Sequence, residues 1–270
     1  MSEQEAVRYE RRGAAALVSI DRQERRNAVD GPTAVALHEA YKRFEADEDA
    51  RVLVLTGAGG VAFCAGADLA HTARWQAGEP PQDEFGRRFR EDQSVMWKGL
   101  LRDYHCTKPI IAAVEGPCIA GGVEILESTD IRIAGETAKF GISEVRWSVF
   151  PLGGSTVRLR RQISYTKAME MLLTGDHYSA AEALQMGLIG RVVPAGEALA
   201  AARQVADRIA ANGPLAVQGI KRAVQETEAL PEEKALPIEF EIGMRVGCSE
   251  DAIEGPLAFL QKRTPQYKGR

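Results

Sequence analysis

The chain has 270 residues but few of the side chains from which metal sites and disulfide frameworks are built. Its four cysteines are widely spaced without a CxxC pair, and its four histidines show neither HxH nor HxxxH spacing. His105 and Cys106 are adjacent but isolated, which disfavours a catalytic Cys/His pair. We therefore expect reduced, mostly buried thiols and no metal site.

Long apolar runs and blocks of basic residues are also missing. No apolar run approaches the ~18 residues of a membrane-spanning helix, and the N-terminal MSEQEAVRYERRG lacks the apolar segment of a signal peptide. The formal net charge is −4, and no long Lys/Arg block is present, which argues against a nucleic-acid partner. These absences predict a cytoplasmic protein without membrane contact, whose partners are small molecules or other proteins.

Apolar runs that read as strands recur along the first half of the chain, at 14–20, 51–57, 108–116 and 130–135. A segment with helical spacing, GPTAVALHEAYKRFEAD, lies between the first two, and this alternation predicts an α/β fold. Residues 71–105 begin as a Pro-, Gly- and charge-rich stretch and then become helical, and the chain reads as helical from about residue 157. We predict a core over 1–195 and a helical region over 196–270, with Ser249 as a helix N-cap.

The segment VLVLTGAGGVA has the outline of a dinucleotide-binding turn, because Gly57, Gly59 and Ala62 follow a strand at GxGxxA spacing. That fold needs a helix that starts in the turn and an acid at the end of a second strand. Here the bend CAGAD interrupts any such helix, and Glu79 lies in a Pro-rich loop. The nicotinamide interpretation is therefore disfavoured.

A better interpretation joins the stretch AFCAGADL (62–69) to a second glycine cluster, VEGPCIAGGVEILESTD (114–130). Both follow apolar strands and carry few reactive side chains, so their useful groups are backbone N–H donors. The second cluster opens a helix, and free N–H groups at a helix start stabilise a developing oxyanion. Two neighbouring bends can therefore aim two amides at one carbonyl oxygen. Either cluster alone could equally be a set of tight turns.

Taken together, the motifs along nearly the whole chain resemble those of the enoyl-CoA hydratase/isomerase (crotonase) superfamily. They are RRNAV near residue 27, AFCAGADL, KPIIAAVEGPCIAGGVEIL, DIRIAGETAKFGISE, FPLGGSTVRL, LLTGDHYSAAEALQMGLIGRVV and the C-terminal FLQKR. The resemblance implies an α/β, crotonase-like spiral of ββα units with a helical C-terminal trimerisation region. It also implies a homotrimer or homohexamer.

The resemblance further implies an acyl-CoA substrate, with CoA as part of that substrate and no separate cofactor. The amides of Ala67 and Gly121 would hold the thioester oxygen, and Gly66 would permit the first bend. Positions implied near the CoA are Ala28, Ala65, Ala67, Asp68, Leu69 and Gly121. Either Arg25 or Arg26, and either Lys262 or Arg263, would be candidates for the CoA phosphates.

Two glutamates match the acid/base positions of the family's hydratases. Glu124 comes three residues after Gly121, and Glu144 ends the run AKFGISE. Adding water across a C2=C3 bond needs a base to activate water and an acid to protonate C2. We assign the first role chiefly to Glu124 and the second to Glu144, which predicts reversible hydration of a trans-2-enoyl-CoA to the 3-hydroxyacyl-CoA.

Alternatives on the same scaffold stay open at this point. A Δ3,Δ2-enoyl-CoA isomerase often depends on one main carboxylate, and hydrolases or dehalogenases of the family use an aspartate elsewhere. Asp68 and Asp130 are conceivable substitutes, although Asp68 reads as a cap and Asp130 as a turn residue. A non-catalytic acyl-CoA-binding or RNA-binding member is a further possibility.

Two departures from the common family pattern bear on substrate choice. Ala120 stands where many members have glycine, and Trp147 follows Glu144 as part of an unusually bulky segment. Trp147 would either shape the acyl pocket or pack in the core. The variation resembles that of members acting on unusual acyl chains, including sterol side chains.

Overall fold

The computed structural model describes residues 6–270 and contains two β-sheets. In the larger sheet β1 and β2 are antiparallel, and each following pair, in the order β2-β3-β4-β6-β9, is parallel. Its strands are β1 (Val7–Arg12), β2 (Ala15–Ile20), β3 (Val52–Gly57), β4 (Ile110–Val114), β6 (Ile131–Gly135) and β9 (Arg191–Val193). The smaller sheet consists of β5 (Pro117–Ile119), β7 (Lys139–Gly141) and β8 (Tyr178–Ser179).

Helices alternate with these strands in the first half of the chain and dominate the second half. They are α1 (Gly31–Ala46), α2 (Leu69–Gln76), α3 (Glu84–Glu91), α4 (Val95–Gly99), α5 (Gly121–Leu126), α6 (Ser155–Gln162), α7 (Tyr165–Thr174), α8 (Ala180–Met186), α9 (Ala198–Ala210), α10 (Pro214–Thr227), α11 (Glu232–Gly247) and α12 (Glu250–Leu260). Asp30 caps α1 by accepting a 2.9 Å hydrogen bond from the Thr33 N–H.

The central strands β3 and β4 are buried along their whole length, because helices cover both faces of the sheet. Alternate residues of these strands lie on opposite faces of the sheet. Leu53 and Leu55 belong to the apolar cluster that contains α1 side chains, including Tyr41. Val52 and Val54 belong to a second cluster with α9. The α9 contribution to that cluster includes Ala198, Ala202, Val205 and Ala206, whose small size lets the helix approach the sheet closely.

Successive units of the chain repeat one plan. A long strand leads into a short extended segment and then a helix, as in β4-β5-α5, while β6 leads to β7 and a 3-10 helix over Glu144–Trp147. After β3, Cys64 takes the place of the short strand by forming a parallel bridge with Cys118 of β5. This repetition confirms the predicted crotonase-like spiral, and it brings several bends to one side of the molecule.

The region after residue 195 is helical, as predicted. Ser249 caps α12 by accepting from the Ala252 N–H, and Lys221 of α10 is buried. The Lys221 ammonium donates to Asp130 Oδ2 at 2.8 Å and to the Lys108 carbonyl, which ties α10 to the core. The boundary at 195 stays a prediction.

The structure differs from the sequence-based expectation in its short elements. Strands β1, β5, β7, β8 and β9 were not predicted. The last four have only two or three residues, which carry no readable alternation, and the six residues of β1 are mostly charged and exposed. Helix α2 occupies the start of the stretch that was predicted to begin as a loop, because Asp68 caps it. Among residues 6–270, no helix is both long and apolar enough to cross a membrane.

Candidate active site

The first bend, at residues 64–68, is held rigidly from one side. Asn27 Nδ2 donates to the Ala62 carbonyl at 2.7 Å, and Val29 pairs with Ala67 in a parallel bridge. Gly66 has φ +91°, a conformation that favours glycine, and a Cβ there would lie 2.8 Å from the Ala120 Cβ. The bend therefore needs Gly66, as predicted from the sequence.

The second bend, at the start of α5, lies against the first. Gly121 is close to Gly66, since a Cβ on Gly66 would be 3.3 Å from the Gly121 nitrogen. Within residues 6–270, neither the Ala67 N–H nor the Gly121 N–H donates a hydrogen bond to a protein acceptor. Two free amides from two bends thus lie at one place, where they could bind the oxygen of a ligand.

The bend at Ala120 is strained. Ala120 has φ +53° and ψ −121°, which lies outside the left-handed helical region as well as the ordinary regions for a residue with a Cβ. Alanine therefore replaces the glycine of many family members at a position whose backbone conformation glycine adopts more easily. This strain lies directly before the Gly121 amide.

Glu124 lies on α5 with its carboxyl group almost completely buried, at 3% exposure. It faces the turn before α6, where a Cβ on residue 153 would clash with the Glu124 carboxyl group. Burial first, and then the charge of Glu144, raise the pKa of Glu124 to about 7, while the backbone N–H groups of Ser155, Gly153 and Gly154 act in the opposite direction. Its Oε1 has no hydrogen-bond partner in the described chain.

Glu144 begins the 3-10 helix that follows β7 and is half-buried. Burial raises its pKa, and its Oε2 has no hydrogen-bond partner among the described residues. The pKa values of both carboxyl groups are thus raised, and the charge of Glu144 contributes to the rise at Glu124, so the pair is suited to exchange protons with a substrate.

A cavity of about 320 Å³ joins these groups. Ala67, Gly121, Glu124 and Glu144 all line it, and so do Ala65 and Leu69. The remaining walls are mainly apolar and include Met96, Trp97, Leu100, Ile119, Trp147, Val149, Phe150 and Leu152. Trp147 is 71% exposed, so it belongs to the cavity wall and not to the core.

Other predicted residues do not line this cavity. Ala28 is buried, and its carbonyl accepts a hydrogen bond from Arg22. Asp68 is also buried; it caps α2 through the His71 N–H and forms an ion pair with Arg22 at 2.9 Å, which contributes to a lowered pKa. Arg25, Arg26, Lys262 and Arg263 are exposed and lie outside the cavity wall, and Arg263 pairs with Glu254.

The alternative nucleophiles and acids have structural roles. Asp130 Oδ2 accepts from the Ile110 N–H and from Lys221, which matches its prediction as a turn residue. Burial raises the pKa of the Cys106 thiol to about 12, so Cys106 is not a nucleophile at neutral pH. The cysteines are free, and Cys64, Cys106 and Cys118 are buried, as expected, while Cys248 is exposed.

Three residues at the site were missed by the sequence analysis: Gly153, Ser155 and Glu127. Gly153 and Ser155 lie in the motif FPLGGSTVRL, but nothing in that motif indicates that they contact Glu124. Glu127 lies one helical turn after Glu124, and that spacing was the available signal.

A buried and a half-buried carboxyl group beside two free amides form an arrangement suited to acid/base chemistry on a carbonyl compound, as in an α/β enzyme. A family model described as "Enoyl-CoA hydratase/isomerase" matches residues 10–270, and the chain belongs to this family.

Similar proteins cover almost the same length. The chain is 51% identical over 261 residues to enoyl-CoA hydratase EchA19 of Mycobacterium tuberculosis, covering 97% of this chain and 96% of that protein. It is 37% identical to carnitinyl-CoA dehydratase of Proteus mirabilis, over 96% of this chain and 97% of the relative. The crystal structure of enoyl-CoA hydratase EchA1 from Mycobacterium marinum superposes with a TM-score of 0.88 at 36% identity, covering 99% and 100% of the two chains.

Proposed function

We propose that this chain is a lyase that adds water reversibly to a trans-2-enoyl-CoA, giving the 3-hydroxyacyl-CoA. One observation carries the proposal: Glu124 and Glu144, both with raised pKa, face one cavity beside the free amides of Ala67 and Gly121. The similarity to an enoyl-CoA hydratase and to a carnitinyl-CoA dehydratase supports the same class of reaction.

The two amides would act on the thioester oxygen. When water adds at C3, negative charge moves through the conjugated system to this oxygen, forming an enolate. Donors that are already fixed in place stabilise such charge without reorganising, and each is commonly worth a factor of ~100 to ~1000 in rate. Small residues in both bends allow the thioester to approach the main chain.

The two carboxyl groups would work as a pair around one water molecule. Because burial and, after it, the charge of Glu144 raise the pKa of Glu124, we place the resting proton of the pair on Glu124. Transfer of that proton through the bound water to Glu144 leaves Glu124 ionised and Glu144 protonated. Glu124 then takes a proton from water as the water oxygen bonds to C3, and Glu144 gives its proton to C2. These transfers return the pair to its resting state.

The cavity walls suit an acyl chain, because they are apolar around the carboxyl pair. CoA enters as part of the substrate, so the reaction needs no separate cofactor. Homotrimer or homohexamer formation is supported by exposed apolar residues on α10, α11 and α12, among them Ile220, Phe240 and Phe259. A cytoplasmic location and the resemblance to members acting on unusual acyl chains stay predictions.

The decisive experiment measures hydration of crotonyl-CoA and of longer enoyl-CoAs by the wild type and by Glu144→Gln. We expect the variant to lose a factor of ~100 to ~10000 in turnover, while thioester binding is retained. Glu182→Gln, which removes an exposed carboxyl group on α8, is the matched control. Unchanged turnover in Glu144→Gln refutes the role.

The same assay separates hydration from isomerisation. A 3-enoyl-CoA is supplied in isotopically labelled water, and the products are analysed by mass spectrometry. A conjugated product without solvent oxygen indicates an isomerase. A trans-2-enoyl-CoA is supplied in a parallel reaction, because a hydratase acts only on the conjugated double bond. Labelled 3-hydroxyacyl-CoA from the trans-2-enoyl-CoA, with the 3-enoyl-CoA unchanged, supports the hydratase. Tight acyl-CoA binding without any turnover would instead favour a non-catalytic member.

A further inference from the structure

A third carboxyl group lies behind the catalytic pair. Glu127 comes at the C-terminal end of α5, one turn after Glu124, and is only 3% exposed. Both of its carboxyl oxygens are buried without a hydrogen-bond partner in the described chain. The Ser155 hydroxyl beside it is likewise buried and makes no hydrogen bond of ordinary geometry, but it lies near enough to Glu127 to lower the pKa of that carboxyl group.

Two arginines lie near Glu127, but their donors are used elsewhere. Arg132 donates to the backbone carbonyls of Leu188, Glu127 and Thr129. Arg158 donates to the Ser128 hydroxyl and to the carbonyls of Gly153, Leu101 and Arg102. Within residues 6–270, no ion pair of 4.0 Å or less involves the Glu127 carboxyl group. A buried carboxyl group without an ion pair or a hydrogen bond is stable only in its neutral form.

Ser155 connects the two glutamates at the start of α6. Its backbone N–H acts on Glu124, while its hydroxyl acts on Glu127. The amides of this turn therefore act on the carboxyl group that lines the cavity, whereas Glu127 has only the Ser155 hydroxyl nearby.

We propose that Glu127 is a positioning residue that keeps its proton while Glu124 ionises, so that negative charge stays on the carboxyl group facing the cavity. The inference rests on the proposed function insofar as Glu124 is the group that exchanges protons with substrate. An ionised Glu127 would place a second negative charge one helical turn behind Glu124 and would oppose formation of the enolate.

The groups around Glu127 also indicate that Glu124 ionises before Glu127. The pKa of Glu127 is raised to about 8, chiefly by burial and in part by the charge of Glu124 on α5. Ser155 and Arg158 on α6 and Arg132 on β6 lower it without cancelling the effect of burial. Since three backbone amides lower the pKa of Glu124, whereas neither carboxyl oxygen of Glu127 has a hydrogen-bond partner in the described chain, Glu124 releases its proton first.

A direct test follows the carboxyl carbons of isotope-labelled glutamate by NMR as the pH changes, in the substrate-free wild type and in Glu127→Gln. Glutamine keeps the shape of the protonated acid and carries no charge. We expect one carboxyl signal that titrates near pH 8 in the wild type and is missing in Glu127→Gln. If the wild-type signal that disappears in Glu127→Gln titrates below the ordinary glutamate pKa of 4.5, the proposal is overturned.

A kinetic test compares kcat/KM of Glu127→Gln with that of the wild type across the pH range. Titration of groups common to both proteins cancels in this ratio, so what varies with pH is the titration of Glu127. We expect the ratio to rise at least about threefold between about pH 6.5 and about pH 9, because only the wild type acquires the second charge. A ratio that is constant with pH indicates a structural role alone and overturns the proposal.

Ser155→Ala provides a second variant should Glu127→Gln fail to fold. Because the Ser155 hydroxyl lowers the pKa of Glu127, its removal raises that pKa, so the titrating signal moves to higher pH. A signal that does not move contradicts the proposal. If the wild type fails to hydrate any enoyl-CoA, the proposed function is wrong, while the substrate-free NMR titration still decides the state of Glu127.

Discussion

Gly153 lies so close to Glu124 that a Cβ at position 153 would be 2.5 Å from the Glu124 Cδ. The carboxyl group occupies the space that a side chain on residue 153 would need. Gly153 does not have a left-handed backbone, so the requirement for glycine here comes from the neighbouring carboxyl group.

Gly153→Ala should therefore disable the enzyme by displacing Glu124. The added methyl group forces the carboxyl group, or the turn before α6, to move by a sizeable fraction of an ångström. A misplacement of this size commonly lowers turnover by a factor of ~100. Steady-state kinetics with an enoyl-CoA would measure the loss, and circular dichroism would check that the fold is retained.

Gly190→Ala is the matched control, because the nearest atom of the described chain to a Cβ at Gly190 would be the Arg132 carbonyl oxygen, at an ordinary 3.7 Å. It should retain wild-type turnover. Equal turnover in the two alanine variants would show that Glu124 does not depend on the shape of this turn.

Ala120→Gly should stabilise the protein. The strained backbone at Ala120 costs about 1–3 kcal/mol, and glycine removes this strain. Glycine also increases the entropy of the unfolded chain, which opposes the gain by roughly 0.5–1 kcal/mol. A net increase of about 1 kcal/mol in the free energy of unfolding is expected from denaturant titration.

Ala181→Gly tests whether this gain is specific to the bend. Ala181 is exposed on α8 in an ordinary helix, so glycine there should lower the free energy of unfolding by about 1 kcal/mol. If both variants lose stability to the same extent, the strain assigned to Ala120 is absent.

The raised pKa of Glu124 predicts how stability changes with pH. The folded chain keeps this proton up to about pH 7, whereas the unfolded chain releases it near 4.5. Folding is therefore favoured by Glu124 at low pH, and this contribution is lost as pH rises from 4.5 through 7. Glu124→Gln removes the loss, so the variant should gain stability relative to the wild type by up to about 1.4 kcal/mol per pH unit across this window.

Glu182→Gln is a control at a carboxyl group whose pKa is lowered, not raised. The Ser179 hydroxyl and N–H lower the pKa of Glu182, so its contribution to stability is present above the unfolded pKa and is lost only at lower pH. Between about pH 5 and about pH 7 its difference from the wild type should be constant. A constant difference for Glu124→Gln over the same range would contradict a raised Glu124 pKa.

The sequence by itself determined the long elements and the two bends, and its resemblance to the family predicted the carboxyl pair. Strands β3 and β4 are runs of buried apolar residues, and the glycine in CAGAD has a local conformational cause. The ordered motifs then placed Ala67, Gly121, Glu124 and Glu144, and the structure brings all four to one cavity. These features depend on residues that are near one another along the chain, which is why a sequence can reveal them.

Only the tertiary structure decided what surrounds that pair. It excluded Ala28 and Asp68 from the cavity, placed Trp147 in its wall, and set Gly153 and Ser155 against Glu124. It also showed that Glu127 is buried without an ion pair, because both neighbouring arginines donate to other groups. Burial and the choice of hydrogen-bond partners depend on segments far apart in sequence, and they set the pKa values on which the chemistry depends.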